Sequence, residues 1–377
     1  MQEKAISRRK FLMSTGAVAL GTGTLSTINA AESKNNAAGS KAKHPTLLFC
    51  CDLNWAMTPR SRPSLPADWA QVDPQKYFDW HRNFGVNVMF CQAYCSAGYA
   101  LYPSKLGPVG KGNAATLFPR LYELSRDAGM PVWSYFTVGA DLLMAKEHPE
   151  WIVPGTQRKL GHGGFFGPET PRTEMLCARI REFLKQYPVD WLLLDWFVYG
   201  MLKPNGLPVQ PAEFVKKPFA RIIGRPMPAK AEEITAQENL KYKRTVLAEQ
   251  FQAIKAAVKE TSPKTKIIFN MPYRQVGEAL WKDHPVMEES DGLFAESSNH
   301  IVDWLLKVRK PNQRVMTTII GRSPSTTNPN TWKEWHAKGC DFFGYAWGTP
   351  PNFEPAPSYK KDLAVVREAF RVMSSGR

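Results

Sequence analysis

Cysteine is sparse in this chain, with six residues in 377, too few and too widely spaced for the disulfide framework that staples small secreted domains. Cys50, Cys51 and Cys91 fall in short apolar runs, Cys177 on a helix-patterned face and Cys340 beside another run. Those positions predict packed thiols rather than bridges. Long apolar runs are missing as well. The best candidate, Met13 to Ile28, is interrupted by Gly16, Gly21 and Gly23 and falls short of the ~20 residues a membrane span needs. The seven histidines (His44, His81, His148, His162, His284, His300 and His336) show no H-x-H or H-E-x-x-H spacing, so no metal site is expected. No G-x-S-x-G elbow, phosphate loop or dinucleotide fingerprint occurs, so no cofactor is expected either. Helix-turn-helix, zinc-finger and RNP patterns are also lacking, which argues against a nucleic-acid partner. Acidic residues are outnumbered, 34 against 49 basic, for a formal net charge of +15. Such an excess favours polyanions, and a sulfated or uronic-acid-containing polysaccharide is one candidate.

What is present begins with Ser7-Arg8-Arg9-Lys10-Phe11-Leu12, a moderately apolar stretch, and Ala30-Ala31. This pattern predicts a twin-arginine signal peptide over 1–30, removed on export to the periplasm or beyond. Residues 31–44, rich in Ala, Asn, Ser and Lys, read as a flexible tether, leaving 45–377 as one folded domain. With the signal gone, no stable membrane insertion is expected.

Eight short apolar runs follow, each before a helix-patterned segment: Leu47 to Cys51, Val86 to Cys91, Pro131 to Phe136, Trp191 to Asp195, Lys266 to Asn270, Gly292 to Glu296, Arg314 to Ile319 and Asp341 to Ala346. Strands alternating with helices imply a parallel sheet. Helix-to-strand links are short, whereas strand-to-helix links are long after strands 1 to 4, including a Pro-rich insertion at 197–235. Elaboration confined to one end of the strands is the signature of an α/β (β/α)8 TIM barrel whose C-terminal face carries function.

That face locates the chemistry. Asp195 closes the apolar strand Trp191-Leu192-Leu193-Leu194, and Glu296 closes Leu293-Phe294-Ala295 two strands later. A buried carboxylate is costly unless it is paired or faces a solvated pocket. Two of them at one barrel mouth are the minimum equipment for glycoside hydrolysis. The other strand ends supply Asp52, Asn54, Gln92, Tyr94, Tyr135, Trp196, Asn270, Arg274, Asn299, His300, Arg322 and Trp347 as candidate substrate-binding residues. Polar and aromatic side chains in this mixture suit a sugar better than an apolar ligand.

Four segments also carry a resemblance: His148-Pro149-Glu150-Trp151; Phe165-Phe166-Gly167-Pro168; the Arg179-Ile180-Arg181-Glu182-Phe183-Leu184 helix; and Val189-Asp190-Trp191-Leu192-Leu193-Leu194-Asp195-Trp196-Phe197. Together they resemble hypothetical glycosyl hydrolase barrels related to α-L-fucosidases. The resemblance implies a strand-four nucleophile at Asp195 and an acid/base on or near strand six, at Glu296. It also marks a departure, since relatives often enter strand four with Asp-Gly and here Trp191 follows Asp190. The expectation is an exported glycosidase of the retaining type acting on an oligo- or polysaccharide. A carbohydrate-binding barrel without hydrolysis and a metal-dependent hydrolase or isomerase of the same fold are the alternatives, because fold alone does not choose among them.

Overall fold

The computed structural model describes residues 45–52, 68–156, 163–199, 209, 212–270, 279–296, 299–320, 327–345 and 357–374. The predicted signal and tether lie outside them. Among the described residues no helix is long and apolar enough to cross a membrane.

Eight parallel strands make the barrel: β1 (Leu47–Cys50), β2 (Met89–Tyr94), β3 (Val132–Thr137), β4 (Trp191–Asp195), β5 (Lys266–Asn270), β6 (Gly292–Ala295), β7 (Arg314–Ile320) and β8 (Cys340–Tyr345). Neighbours pair in the order β1-β8-β7-β6-β5-β4-β3-β2. All eight coincide with the apolar runs of the sequence to within a few residues. The remaining seam, between β1 and β2, is joined by Asn87. Its backbone N–H donates to the Leu47 carbonyl (3.0 Å), and its side chain accepts from Leu47 N (2.8 Å) and donates to the Pro45 carbonyl (2.8 Å).

Alternation along each strand sorts the side chains into two cores. Leu48, Val88, Phe90, Trp133, Trp191, Leu193, Ile268, Phe294, Met316 and Phe343 point inward and fill the barrel. Their neighbours point outward against the helices, as with Leu192 and Leu194. Trp191 plugs the N-terminal mouth, stacked on Trp133 at 4.7 Å between ring centroids, with the cations of Lys266 and Arg314 over its ring. A Cβ on Gly292 would come within 3.1 Å of that indole, so the glycine that opens β6 leaves room for the tryptophan on β4.

The outer layer comprises α1 (Pro74–Phe84), α2 (Leu117–Asp127), α3 (Leu142–Glu147), α4 (Arg172–Gln186), α5 (Glu213–Ile223), α6 (Ala236–Thr261), α7 (Pro285–Glu289), α8 (Asn299–Val308), α9 (Pro329–Ala337) and α10 (Pro357–Ser374). Local chemistry sets their limits. Asp73 caps the start of α1 and left-handed Gly85 (φ 97°) ends it, while Thr235 and Glu238 form a reciprocal capping box at the start of α6. Within the Pro-rich insertion, α5 forms despite Pro218 inside it. It packs on the outer flank of α6 through Phe219 against Tyr242 and a two-pronged Arg221–Glu249 ion pair.

All six cysteines are buried and unbridged, as their apolar settings imply.

Candidate active site

The inward face of the barrel changes from apolar to polar at its C-terminal mouth. There Leu193, Phe294 and Phe343 floor an open cleft walled by Asp52, Gln92, Tyr135, Asp195, Trp196, Asn270, Glu296, Thr318 and Tyr345.

Asp195 faces this cleft, not the helices. Its Oδ2 accepts from the Tyr135 hydroxyl (2.8 Å). Its Oδ1 accepts from its neighbour's backbone N–H, Trp196 N (2.7 Å), and from Asn270 Nδ2 (2.8 Å). The same Asn270 nitrogen donates to Glu296 Oε1 (3.0 Å), so one amide group spans both carboxylates. Burial pushes the Asp195 carboxyl up to about 6; the three donors oppose that rise and the charge of Asp52 adds to it. Glu296, by contrast, stands exposed at the rim.

On the far side of the cleft Asp52 accepts from Gln92 Nε2 (3.3 Å) and from the Tyr345 hydroxyl (2.8 Å). Burial and the adjoining Asp52 hold the Tyr345 hydroxyl well above its ordinary range, so it is a donor at any working pH.

The backbone at the end of β4 is strained. Trp196 has φ 57°, a left-handed conformation unusual for a bulky residue and found chiefly at functional sites. Its carbonyl oxygen lies 2.4 Å from where a Cβ on Gly139 would be. The glycine after β3 is therefore what lets the loop pass the strained turn, and Val138 N donates to the Asp195 carbonyl (2.8 Å) just beside it. The indole of Trp196 rests against Phe165 at 5.5 Å, which joins two of the segments that carry the fucosidase resemblance.

The structure thus gathers Asp52, Gln92, Tyr135, Asp195, Trp196, Asn270 and Glu296 into one cleft. Tyr94 requires a correction. Strict alternation would put it on the same face as Gln92, but the register slips between them, where Gln92 pairs with Tyr135 and Tyr94 with Phe136. This bulge turns Ala93 and Tyr94 both outward. Tyr94 is buried there beside Asp141 and Arg179 and does not reach the cleft. Tyr102, Phe197 and Tyr199 are likewise core. Asn54, Arg274, Arg322 and Trp347 lie outside the described residues. Asn299 and His300 open α8, and their side chains are outside the description.

Sequence reasoning missed Cys50, Thr318 and Ile320 as lining residues and Tyr345 as the hydroxyl partner of Asp52. Alternation held the signal: Leu48-Cys50-Asp52 and Met316-Thr318-Ile320 each extend an inward-facing series to the rim. Among the described residues no cluster of three potential metal ligands occurs.

Fold and site together define a (β/α)8 barrel whose described cleft at the C-terminal mouth is lined by Asp52, Asp195 and Glu296. No protein-family model and no curated protein matches the sequence; the resemblances are to solved structures. Alpha-L-fucosidase isoenzyme 2 from Paenibacillus thiaminolyticus superposes with a TM-score of 0.62 at 15% identity, over 88% of this chain and 49% of that one. The glycoside hydrolase domain of PgaB (BpsB) from Bordetella bronchiseptica does so with a TM-score of 0.55 at 14% identity, over 86% and 98%. The chain spans about half the length of the fucosidase, and at such identities the likeness is one of fold.

Proposed function

We propose that the protein is an exported glycoside hydrolase that cleaves an oligo- or polysaccharide with retention of anomeric configuration. In this reading Asp195 is the nucleophile and Glu296 the general acid/base. The observation that carries it is the Asn270 bridge. The bridged oxygens, at 2.8 and 3.0 Å from one nitrogen, approach within about 6 Å of each other, a closeness that favours the adjacent pair of a retaining enzyme (about 5–5.5 Å) over the wider inverting pair (about 6.5–9.5 Å).

The roles follow from the surroundings. Asp195 is held rigidly at the floor by Tyr135, Asn270 and the Trp196 N–H, and with a carboxyl near 6 it is mostly ionised at neutral pH. It is oriented to attack an anomeric carbon seated above it. Glu296, at the exposed rim, is positioned to protonate the departing oxygen and then to draw a proton from water that releases the sugar from Asp195. The sequence pattern that predicts a twin-arginine leader over 1–30 supports export, and the barrel fold shared with both solved structures is compatible with the reading.

A panel of aryl glycosides and polysaccharides, assayed with the wild type and Asp195→Asn, tests the proposal. Cleavage of at least one substrate by the wild type and its loss in the variant are expected. If Asp195→Asn cleaved that substrate at the full rate, the assignment would fail. Binding of a sugar with no cleavage of any would favour the non-hydrolytic barrel.

A further inference from the structure

Strand β5 lies between β4 and β6, the strands whose ends carry Asp195 and Glu296, and Asn270 is its last residue. Ile268 and Asn270 share the inward face of β5, as Leu193 and Asp195 do on β4 and Phe294 and Glu296 along β6. Register fixes the heights: Leu194 pairs with Phe269, and Asn270 with Phe294. Asn270 therefore stands level with Asp195, while Glu296 lies two residues farther along, a rise of about 6–7 Å. An amide in this place reaches sideways to one acid and upward to the other.

An ionised carboxylate only accepts hydrogen bonds, so a group seated between two of them has to donate twice. Asn270 Nδ2 does so, at 2.8 Å to Asp195 Oδ1 and 3.0 Å to Glu296 Oε1. The amide is thereby fixed one way round, since its oxygen in that place would face two acceptors. Two neighbouring carboxylates disfavour each other's ionisation, and a neutral donor shared between them eases this without adding a charge of its own. Asp195 takes two further donors, the Tyr135 hydroxyl on Oδ2 and the Trp196 N–H on Oδ1. Burial pushes its carboxyl up to about 6; Tyr135, Trp196 N and Asn270 oppose that rise and Asp52 adds to it. The other titratable side chains of the described lining are Cys50 and Asp52 at the end of β1, Tyr135 on β3, Glu296 after β6 and Tyr345 on β8.

We infer that Asn270 is a positioning residue whose amide, seated between the two acids, keeps Asp195 the ionised member of the pair. The inference rests on the reading of Asp195 as nucleophile and Glu296 as acid/base, which needs the two in opposite protonation states when the reaction begins. Asn270 serves that need through Asp195. Without the amide Asp195 keeps two donors and loses the one that also reaches Glu296, so it gives up its proton at a higher pH and a smaller fraction of the protein is competent near neutrality.

Two measurements separate this role from a merely structural one. The first needs no substrate: carbon-13 NMR of protein labelled at its aspartate carboxyls follows the titration of Asp195, whose signal is the one lost in Asp195→Asn. In Asn270→Ala the midpoint should rise by about one pH unit, the scale set by losing one hydrogen bond to a charged group. Asn270→Ser, with one hydroxyl in place of two N–H donors, should show a smaller rise. The second is the pH profile of kcat/KM on a cleaved glycoside. Its acidic limb should move up with the midpoint, so that more activity is lost at pH 6 than at pH 8, whereas a structural defect alone would lower the rate by the same factor at both. The inference is overturned if the midpoint stays or falls in whichever of the two variants folds, or if the limb stays in place. A raised midpoint in a protein that cleaves no glycoside would sink the hydrolase reading and leave the hold of Asn270 on Asp195 standing; cleavage by the wild type with an unmoved midpoint in the variants would do the reverse.

Discussion

Asp195 is an acid whose environment makes it both useful and costly. Its carboxyl, ordinarily near 3.8, rises to about 6 on burial, so the folded state holds the proton more tightly than the unfolded chain does. Stability from this group is therefore full below about pH 4 and is lost as pH rises through about 6. Asp195→Asn removes that dependence: relative to wild type it should gain stability between pH 4 and 7.5, measured by denaturant midpoints, while activity falls on the order of 10³-fold or more. An acidic limb near pH 6 in kcat/KM is expected from the same ionisation. Gly139 is the second residue on which the site depends. A methyl group there meets the Trp196 carbonyl at 2.4 Å, so Gly139→Ala should cost about 2 kcal/mol or more in chemical denaturation and displace the carboxylate it adjoins, lowering kcat.

At the scale of elements, the strands were legible because a barrel strand buries both faces, so each appears as a short apolar run ending in the residue that reaches the rim. Asp195, Asn270 and Glu296 could be read that way, as could the long α6 from its cap and periodicity. Tyr94 could not, because a bulge has no mark in the sequence of β2 and a one-residue slip reverses every side chain beyond it. Nor could α5, where tertiary packing on α6 outweighs Pro218. The outward Tyr94 does structural work instead. It lies with Asp141 and Arg179 in a buried cluster, and Asp141 also caps α3 through Met144 N (2.9 Å). The nearby Arg172 guanidinium, which donates to the Thr137 carbonyl (3.2 Å), gains from the same carboxylate. Asp141→Ala would leave two buried guanidiniums facing no acid among these partners. A loss of about 3–5 kcal/mol in unfolding free energy is expected, and a loss below 1 kcal/mol by the same measurement would contradict this account of the cluster.

For the whole molecule, the loop-length asymmetry read from sequence and the cleft lined by Asp52, Asp195 and Glu296 agree on the same end of the barrel, although they arise independently: one from chain connectivity, the other from strand-end chemistry. The twin-arginine pattern at Arg8-Arg9 adds a prediction of its own. Replacing Arg8 and Arg9 by Lys should strand the protein in the cytoplasm, as judged by fractionation; unchanged export would argue against the twin-arginine route. The central claim, a bridged pair of carboxylates that act in succession on one sugar, is tested most directly by proton NMR of the first product formed from a cleaved glycoside. A first product with the anomeric configuration of the substrate is predicted from the short span between Asp195 and Glu296; a first product of inverted configuration would contradict it.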